Sequence, residues 1–376
     1  MVFGASPIWD DQPDLDLGPL AGPVEADVCV IGLGGSGLAA IDEVLQAGRT
    51  VVGIDAGPVA AGAAGRNGGF LLAGMADSHH RVAALVGPER AAALYRATLD
   101  EMDRMEAATP DAIRRCGSVR LATTAAEVGD CEQQRTALLG DGFEVEPSES
   151  PEGIGLFFPA DGSLQPLRRC RTLARAAIDG GARLFSFSPG TAISGTEVEV
   201  SAGRGAVQCD AVVVAVDGGL EALIPELHGR VRTARLQMLG TAPLLEMRFP
   251  RPVYARWGYD YWQQLPDRSL ALGGRRDWFE EQEWTFDRAP SEPVQRALDE
   301  LLAELSVTAA VTHRWAAVVG YTPDQLPVLE QVRPGVWACG GYSGTGNVVG
   351  ALCGRAAARL ALGLPSEWAA LLPTPG

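Results

Sequence analysis

Three glycines between two apolar segments constrain the fold of this 376-residue chain more than any other feature. Gly32, Gly34 and Gly37 form the pattern G-x-G-x-x-G. The pattern begins directly after the apolar run Ala26–Ile31, and its last glycine lies within the start of the helical pattern Gly35–Ala47. The first glycine of such a pattern permits a tight turn, the second lets the backbone approach a diphosphate, and the third lets the helix pack on the strand. The pattern therefore predicts a buried strand, a phosphate-binding turn and a helix.

An acidic residue supports this interpretation at the expected distance. The apolar run Thr50–Ile54 predicts a second buried strand that ends at Asp55, about twenty residues beyond the glycines. A carboxylate there can accept hydrogen bonds from ribose hydroxyls. A glycine-rich turn alone also occurs without a ligand, but the two features together predict a dinucleotide site. We assign to this site Gly32, Gly34, Gly35, Ser36, Gly37, Asp55 and Ala56.

Further segments indicate how the rest of the fold is built. Ala211–Val216 and Val336–Cys339 are continuous apolar runs typical of parallel strands, whereas Tyr254–Leu265 and Leu270–Gly273 are aromatic or apolar segments separated by turns, which favours an antiparallel sheet. We predict an α/β fold: a Rossmann-type domain, discontinuous in sequence, with an inserted antiparallel-sheet substrate domain. The predicted boundaries are residues 24–80, 155–225 and 315–370 for the Rossmann-type domain, 81–154 and 226–314 for the substrate domain, and 1–23 for an N-terminal extension.

Composition and charge exclude several classes of function. The formal net charge of −16 argues against a nucleic-acid partner, because phosphate recognition needs a basic surface. The chain has no apolar run of about eighteen residues and no basic segment leading into an apolar one at its start, so we expect no transmembrane segment and a cytoplasmic location. The seven Cys contain no C-x-x-C pair and the four His show no ligand spacing, so we expect reduced thiols and no metal.

Two later loops are also rich in small residues. The segment Gly62–Gly69 follows Asp55, and Gly340–Asn347 leads into the helical pattern Val348–Leu362. Small residues let the backbone approach a flat ring system, and a loop that opens a helix presents N–H groups to negative charge. A simple helix cap would need no such density of glycine. We assign to the cofactor Gly65, Arg66, Asn67, Gly68, Gly69, Gly341, Tyr342, Gly344, Thr345, Gly346 and Asn347.

These motifs together resemble a known superfamily over most of the chain. Besides the two loops, Asp161–Pro166 is similar to its D-G-x-x-x-P element, Cys209–Gly219 to its second nucleotide strand, and Trp315–Pro327 to its block around T-P-D. The superfamily is the D-amino-acid-oxidase-like group of FAD-dependent amine and amino-acid oxidoreductases. Within it, the loop after Asp55 is most similar to the γ-glutamylputrescine oxidase family, and the glycine oxidase and sarcosine oxidase families are also similar.

The resemblance implies a cofactor, further site residues and a reaction. The Rossmann-type domain would bind FAD, and Ala192, Asp217 and Gly218 would join its binding residues. The substrate would be a small amine or amino acid. Its C–N bond would be oxidised by hydride transfer to flavin N5, giving an imine that water hydrolyses. Oxygen or another electron acceptor would then reoxidise the flavin.

Three departures from the superfamily's pattern narrow this expectation. The stretch Ala316–Gly320 lacks the Cys that links the flavin in some relatives, and the loop after Asp55 has no His, so we expect non-covalent FAD. Val318 to Tyr321 fill positions where relatives place an Arg for the substrate carboxylate, which favours an amine, or an acid bound by Arg276 or Arg256. All 31 basic residues are Arg, and the absence of the Lys that serves oxygen reduction in some relatives leaves oxidase and dehydrogenase both open.

The candidate substrate pocket is mostly aromatic. Alternation along a strand would place Trp257, Tyr259 and Tyr261 on one face and Trp262 on the other, where aromatic rings can hold a cationic amine or simply form core. No dedicated acid–base residue is assigned. The pocket candidates are Tyr254, Trp257, Tyr259, Tyr261, Arg276, His79 and Tyr342, although the position of His79 in a predicted loop favours a structural role.

Two alternatives from other classes remain. The chain could be a flavin-bearing subunit or binding module whose turnover requires a partner protein. It could also be an NAD-dependent Rossmann dehydrogenase, which the glycine-rich turn before Val348–Leu362 argues against. The substrate, the electron acceptor and the oligomeric state do not follow from the sequence.

Overall fold

The computed structural model describes residues 6–150, 153–200 and 205–373. Its strands are β1 (Gly22–Ile31), β2 (Val51–Ile54), β3 (Phe70–Leu71), β4 (Ile113–Arg114), β5 (Ser118–Ala122), β6 (Glu146–Ser150), β7 (Gly153–Phe158), β8 (Gly162–Leu164), β9 (Arg183–Phe185), β10 (Gly190–Ser194), β11 (Glu197–Val200), β12 (Gly205–Val214), β13 (Arg232–Thr241), β14 (Val253–Ala255), β15 (Asp260–Gln264), β16 (Leu270–Gly274), β17 (Val311–Tyr321), β18 (Val328–Arg333) and β19 (Val336–Gly340). Its α-helices are α1 (Gly35–Gln46), α2 (Ala63–Arg66), α3 (His79–Val86), α4 (Pro88–Ala108), α5 (Ala125–Gly140), α6 (Pro166–Asp179), α7 (Leu220–Leu223), α8 (Glu280–Glu283), α9 (Glu292–Glu304), α10 (Val349–Ala361) and α11 (Glu367–Leu371). Short 3-10 helices lie at Pro110–Ala112, Pro225–Leu227, Arg256–Gly258 and Arg276–Phe279.

The first sheet is parallel at its centre, in the order β9-β2-β1-β12-β19. The last four residues of β1 and of β12 are apolar and buried, because both faces of the sheet are covered there. Val28 and Val30 of β1 pack towards the face that carries α1, α6 and α10, whereas Cys29 and Ile31 pack into the cluster on the opposite face. The antiparallel strand β18 pairs with β19, and the hairpin β10–β11 pairs with the first half of β12. This arrangement confirms the predicted Rossmann-type fold.

The second sheet has eight strands, in the order β17-β13-β16-β15-β14-β5-β7-β6. All neighbours are antiparallel except β14 and β5. Helix α9 covers one face with Val294, Leu298 and Leu301, which pack against Leu270 and Leu272 of β16. The predicted antiparallel-sheet domain is therefore present. A small third sheet joins β3, β8 and β4.

The strand alternation predicted from Trp257 to Trp262 is wrong at its start. The segment Tyr254–Leu265 forms β14 and β15, which are joined by a tight turn. Arg256, Trp257 and Gly258 have φ values of 50°, 59° and 86° in that turn, which is incompatible with an extended strand. The predicted boundaries also differ from sheet membership, since β7 and all of β17 belong to the second sheet.

The boundary between α3 and α4 lies at a glycine followed by a proline. Gly87 and Pro88 separate α3 from α4, with Gly87 at φ 91° and Pro88 at the first helical position. His79 and His80 begin α3, so the prediction that they lie in a loop is wrong. Within the described ranges, no helix combines the length and apolar character needed to cross a membrane.

Candidate functional site

A cavity of about 1730 Å³ lies where the two sheets meet. Gly32, Asp55 and Asp217, which follow β1, β2 and β12, line one side of it, because the carboxyl ends of parallel strands meet at one edge of a sheet. Tyr261 and Arg276 of the second sheet and its connections line the other side. Most of the residues predicted from the sequence therefore face one space.

The glycine motif forms a tight turn between β1 and α1. Gly32 has φ 109°, and a Cβ atom on Gly37 would lie 1.8 Å from the Gly32 carbonyl oxygen. Gly37 therefore serves the packing of α1 on β1 and does not line the cavity, whereas Gly34, Gly35 and Ser36 do line it. Among the described residues, no side chain caps the start of α1. Its first N–H groups are consequently available to an anion.

Asp55 is held by the backbone on both of its carboxylate oxygens. The N–H of Leu33 donates to Oδ2 at 2.7 Å, and the N–H of Gly57 donates to Oδ1 at 2.9 Å. Burial raises the pKa of Asp55, and these hydrogen bonds oppose the rise. The carboxylate is therefore fixed beside the glycine turn and lines the cavity together with Ala56.

Arg169 of α6 is a cavity residue that the sequence interpretation missed. It is 5% exposed, and its Nη1 atom lies 3.5 Å from the position of a Cβ atom on Gly35. Its Nε atom has no hydrogen-bond partner and its guanidinium forms no ion pair within the described part of the chain. Burial lowers the pKa of Arg169. The sequence contains one indication of this role. Arg169 lies beside Cys170, on the face of α6 that is buried.

The two later glycine-rich loops meet, although 280 positions separate their paired residues. The side-chain amides of Asn67 and Asn347 bond each other reciprocally, with both N···O distances at 3.0 Å. Asn347 also donates to the Phe70 carbonyl at 2.8 Å, and Asn67 accepts from the Gly69 N–H at 2.7 Å. The amide pair joins the loop after β2 to the turn that opens α10.

Two tryptophans hold the backbone of the first of these loops. The indole N–H of Trp9 donates to the Gly65 carbonyl, and that of Trp315 donates to the Arg66 carbonyl, each at 2.8 Å. The two rings pack edge to face with centroids 5.4 Å apart. Trp9 is 2% exposed, so part of the predicted N-terminal extension is packed against the site. Its only sequence signal was one Trp in an otherwise acidic, Pro-rich segment.

Asp217 also acts on the backbone. Its carboxylate accepts from the N–H of Tyr342 at 3.1 Å and from the N–H of Gly320 at 3.2 Å. Burial raises the pKa of Asp217 to about 6. A Cβ atom on the adjacent Gly218 would lie 2.3 Å from the Val318 carbonyl oxygen. Asp217 and Gly218 thus join the ends of β12 and β17 to the turn after β19.

The ring of Tyr261 lies between the two sides of the cavity. A Cβ atom on Gly68 would lie 3.2 Å from this ring, which also packs edge to face on Phe70 at 6.0 Å. The neighbouring Trp262 points away into the core beneath α9, as alternation along β15 predicts. Trp257, on the turn before β15, is 45% exposed at the cavity, so its predicted place on a strand face is wrong.

Arg276 lines the cavity, whereas Arg256, the other predicted anchor, lies outside its lining. The guanidinium of Arg276 is 5.7 Å from the ring centre of Tyr259, 5.0 Å from that of Trp284 and 4.9 Å from that of Tyr321. Arg276 is 8% exposed, and its Nη1 atom has no hydrogen-bond partner among the described residues. Trp284 and Tyr321 were not predicted to lie there.

His79, Tyr254 and Tyr342 also line the cavity but are tied to structure around them. The Nε2 atom of His79 lies 2.7 Å from Asp141 Oδ2. Burial raises the pKa of Tyr254 and of Tyr342. The ring of Tyr342 packs under the turn before α10, 3.1 Å from the position of a Cβ atom on Gly346.

The remaining predicted residues divide by position. Arg66, Gly344 and Thr345 line the cavity. Ala192 is exposed on β10, and the lining there comes from residues 189–191. Within the described residues, no group of three or more His, Cys, Asp or Glu could hold a metal ion. The predicted residues that lie outside the lining are Gly37, Gly65, Gly69, Ala192 and Gly341.

Comparisons with known proteins agree with this arrangement. The family model described as FAD dependent oxidoreductase matches residues 27–360. The "Probable oxidoreductase OrdL" of Rhizobium meliloti is 27% identical over 375 residues, covering 93% of this chain and 86% of that protein. The γ-glutamylputrescine oxidoreductase of Escherichia coli is 24% identical, covering 90% and 84%. Glycine oxidase from Geobacillus kaustophilus has the same fold, with TM-score 0.74 and 21% identity, over 91% of this chain and 96% of that one. The resemblance and the cofactor predicted from the motifs are confirmed: the chain belongs to the family of FAD-dependent oxidoreductases.

Proposed function

We propose that the protein oxidises the C–N bond of a small amine or amino acid, passing a hydride to flavin N5 and releasing an imine that water hydrolyses. The observation that carries this proposal is the single cavity that runs from the glycine turn of α1 to the aromatic pocket around Arg276. The ring of Tyr261 borders both parts, since it packs on Gly68 of the flavin loop. A cofactor and a small substrate would therefore meet at this ring.

The residues at the glycine turn fit the diphosphate of FAD. The uncapped start of α1 offers N–H donors and a partial positive charge, and the guanidinium of Arg169 beside Gly35 makes no ion pair within the described ranges. Asp55, fixed by Leu33 and Gly57, stands where ribose hydroxyls can donate to it. When bound, FAD supplies the hydride acceptor, and the protein positions the substrate.

The reacting part of the cavity is built to orient a substrate. Rings line this part from the turn before β15 (Tyr259), from β15 (Tyr261) and from β17 (Tyr321), and aromatic faces attract a cationic amine. Positioning of this kind can supply a large part of a rate enhancement without a dedicated acid or base. We accordingly assign no catalytic acid or base.

We further propose that FAD is held without a covalent bond. The stretch Ala316–Gly320 offers no thiol. The nearby thiols of Cys339 and Cys353 are fully buried in the core between the first sheet and α10. Release of all flavin into the supernatant on acid precipitation would support this statement, and flavin retained in the pellet would contradict it.

The decisive experiment is anaerobic bleaching of the bound flavin. The purified protein is mixed with primary amines, N-methyl amino acids, L-amino acids and D-amino acids, and its flavin absorption is followed. Rapid bleaching by one class, with the imine product hydrolysing to a carbonyl compound, would support the proposal. Admission of air then shows whether oxygen reoxidises the flavin.

The same experiment tests the alternative of a flavin-bearing subunit. That alternative predicts a flavin that chemical reductants bleach but no compound of the panel bleaches until a partner protein is added.

A matched control is the pair Gly68→Val and Gly129→Val. The first substitution would push against the Tyr261 ring and should slow bleaching, whereas the second meets nothing within 4 Å and should leave it unchanged.

A further inference from the structure

We propose that Trp9 is a positioning residue for FAD, and that docking of the chain around Trp9 and binding of FAD strengthen each other. Residues 8–14, the N-terminal strap, precede β1 and contain no helix or strand. The strap lies against the flavin loop (residues 62–69) and against α6, and both of these elements line part of the cavity. The inference depends on the FAD cofactor and not on the oxidation of an amine.

Trp9 connects the strap to the backbone of the flavin loop. Its indole N–H donates to the Gly65 carbonyl at 2.8 Å, and the next carbonyl, that of Arg66, accepts from Trp315. The Trp9 ring is 2% exposed and packs edge to face on Trp315, so the direction of its donor is fixed. Two indole donors from distant parts of the chain thus hold two consecutive carbonyls of this loop.

The charge of Asp10 also acts on the flavin loop. Burial and the charge of Arg288 lower the pKa of Arg66, and the negative charge of Asp10 opposes this shift. Asp10 therefore stabilises the charged form of Arg66. Arg66 lines the cavity, whereas Asp10 does not. The strap consequently stabilises a cation of the cofactor site from outside the cavity.

The strap also holds the start of α6. Gln165 caps this helix with its side-chain oxygen, and its Nε2 atom donates to the Trp9 carbonyl at 2.7 Å. Two arginines of α6 bond the strap: Arg168 donates to Asp11 at 3.0 Å, and Arg171 donates to Asp10 at 3.0 Å and to the Gln12 carbonyl at 2.6 Å. Any movement of the strap would therefore disturb the N-terminal half of α6.

The same part of α6 carries Arg169 towards the cavity. Arg168 and Arg171 are three residues apart and share the face of α6 that meets the strap. One step along a helix turns the side chain by about 100°, and Arg169 faces the cavity near Gly35 instead. A shift of α6 would displace Arg169 from the glycine turn. The strap thus acts on the diphosphate side of the site as well as on the flavin loop.

This influence must be indirect. Of the described residues before β1, none lines the cavity, so bound FAD can affect the strap only through the flavin loop and α6. Coupling of this kind is reciprocal: if the docked strap raises the affinity for FAD by some factor, bound FAD stabilises docking by the same factor. A segment without helix or strand can also open locally while the rest of the protein stays folded. We expect FAD to shift that local equilibrium towards the docked strap.

The first test measures FAD affinity by fluorescence titration of the full-length apoprotein. Trp9→Ala should weaken FAD binding at least about 10-fold, because it releases the strap from the flavin loop. Trp9→Phe keeps a buried ring without the N–H donor, and its loss should be only about 2- to 10-fold, the range expected for one hydrogen bond. This smaller loss decides the question if Trp9→Ala does not fold.

A destabilised control separates positioning from general stability. Val294→Ala removes methyl groups from the core between α9 and the second sheet, outside the lining of the cavity. It should lower the thermal midpoint of the apoprotein, because a buried side chain is truncated. Its FAD affinity should stay within about 2-fold of the wild type, since distant sites act independently.

The second test observes the strap itself by hydrogen exchange and mass spectrometry of the full-length protein with and without FAD. The Asp10 N–H donates to the Pro7 carbonyl at 3.0 Å, and the Leu20 N–H donates to the Ser188 hydroxyl at 2.8 Å. Peptides that contain these two amides report on docking. FAD should slow their exchange at least about 5-fold in the wild type and have no such effect in Trp9→Ala.

The outcomes decide the inference without reference to turnover. Unchanged FAD affinity in Trp9→Ala, or an equal loss of affinity in Val294→Ala, would reduce Trp9 to an ordinary core residue and overturn the inference. Strap exchange that is the same with and without FAD would also overturn it, because coupling must act in both directions. A flavin that no nitrogen compound bleaches would refute the proposed function and leave this inference intact.

Discussion

The two sides of the cavity are built from different parts of the polypeptide. On the side of the first sheet, the groups that face the cavity are mostly backbone, brought close by Gly32 and Gly34 and fixed by Asp55 and Asp217. On the side of the second sheet, they are aromatic rings and the guanidinium of Arg276. A cofactor site made of backbone tolerates few changes of residue at its glycines, whereas a pocket made of side chains can change specificity without altering the fold.

Gly37→Ala tests the backbone side and should have the largest effect on FAD binding. The added Cβ would lie 1.8 Å from the Gly32 carbonyl oxygen, so α1 could not keep its position on β1. We expect FAD binding to weaken by at least about 100-fold, which corresponds to about 2.7 kcal/mol. Flavin fluorescence titration of the apoprotein measures this, and Gly129→Ala, in open space on α5, provides the control. An affinity within a few-fold of the wild type would show that the turn is less constrained than its geometry indicates.

Trp9→Ala asks whether a distant side chain supports the backbone side. The substitution removes a ring that is 2% exposed, its edge-to-face contact with Trp315 and the hydrogen bond to the Gly65 carbonyl. We expect the free energy of unfolding to fall by about 3–5 kcal/mol, as for other buried aromatic residues. Trp278→Ala, at a residue that is 48% exposed, should cost about 1 kcal/mol or less. Denaturant unfolding of both variants measures these free energies. Equal losses of unfolding free energy in the two variants would mean that the N-terminal segment is not specifically docked.

The comparison also explains what the sequence could predict. Gly32, Gly34, Gly37 and Asp55 act through neighbours on the same βαβ unit, so their spacing predicted the turn and a dinucleotide site. The later loops were needed to predict the family. The contact of Trp9 with Gly65 joins residues 56 positions apart, and no local pattern encodes it. On the side of the second sheet, the sequence predicted only which residue types line the cavity. Whether a charged side chain lacks a counter-ion is a property of the folded chain.

Arg276 and the turn before β15 illustrate that limit. Arg276 and Arg256 were equivalent in the sequence, and only the folded chain shows that Asp260 and Asp277 pair with Arg256. The tight turn at Trp257 was missed because one glycine, Gly258, is its only local sign and two of its left-handed residues are not glycine. Tertiary contacts, such as the Trp257 N–H that donates to Glu127 at 2.8 Å, stabilise the turn instead.

Arg169→Met examines a side chain on the backbone side whose charge has no ion-pair partner among the described residues. FAD binding should weaken about 10- to 100-fold through loss of a charged hydrogen bond to the diphosphate. The apoprotein should be no less stable than the wild type, because a buried cation without a counter-ion has been removed. Arg171→Met, two residues along α6, removes an arginine bonded to Asp10 at 3.0 Å and should instead destabilise the apoprotein. Thermal melts with and without FAD distinguish the Arg169→Met variant from the Arg171→Met variant. A destabilised Arg169→Met apoprotein would contradict the assignment of Arg169 to the diphosphate.

Asp161 gives the most pH-specific effect. It is 3% exposed, its oxygens accept from the Ser118 hydroxyl and the Ala73 N–H, and burial raises its pKa to about 7 from 3.8. A carboxyl with a raised pKa stabilises the fold below the unfolded value and loses that contribution as the pH rises, here from about 4 to 7. Each pKa unit corresponds to about 1.4 kcal/mol.

Asp161→Asn keeps an acceptor for the Ala73 N–H and removes the titration, so its stability should fall less than that of the wild type between pH 4 and 7. Asp55 and Asp217, whose pKa values are also raised, remain in both proteins, and the difference between the two unfolding curves therefore isolates Asp161. The exposed Asp100→Asn should follow the wild-type curve. Parallel curves for Asp161→Asn and wild type would mean that Asp161 is already ionised in the fold. The cavity wall at the second sheet would then contain a buried negative charge as well as the positive charge of Arg276.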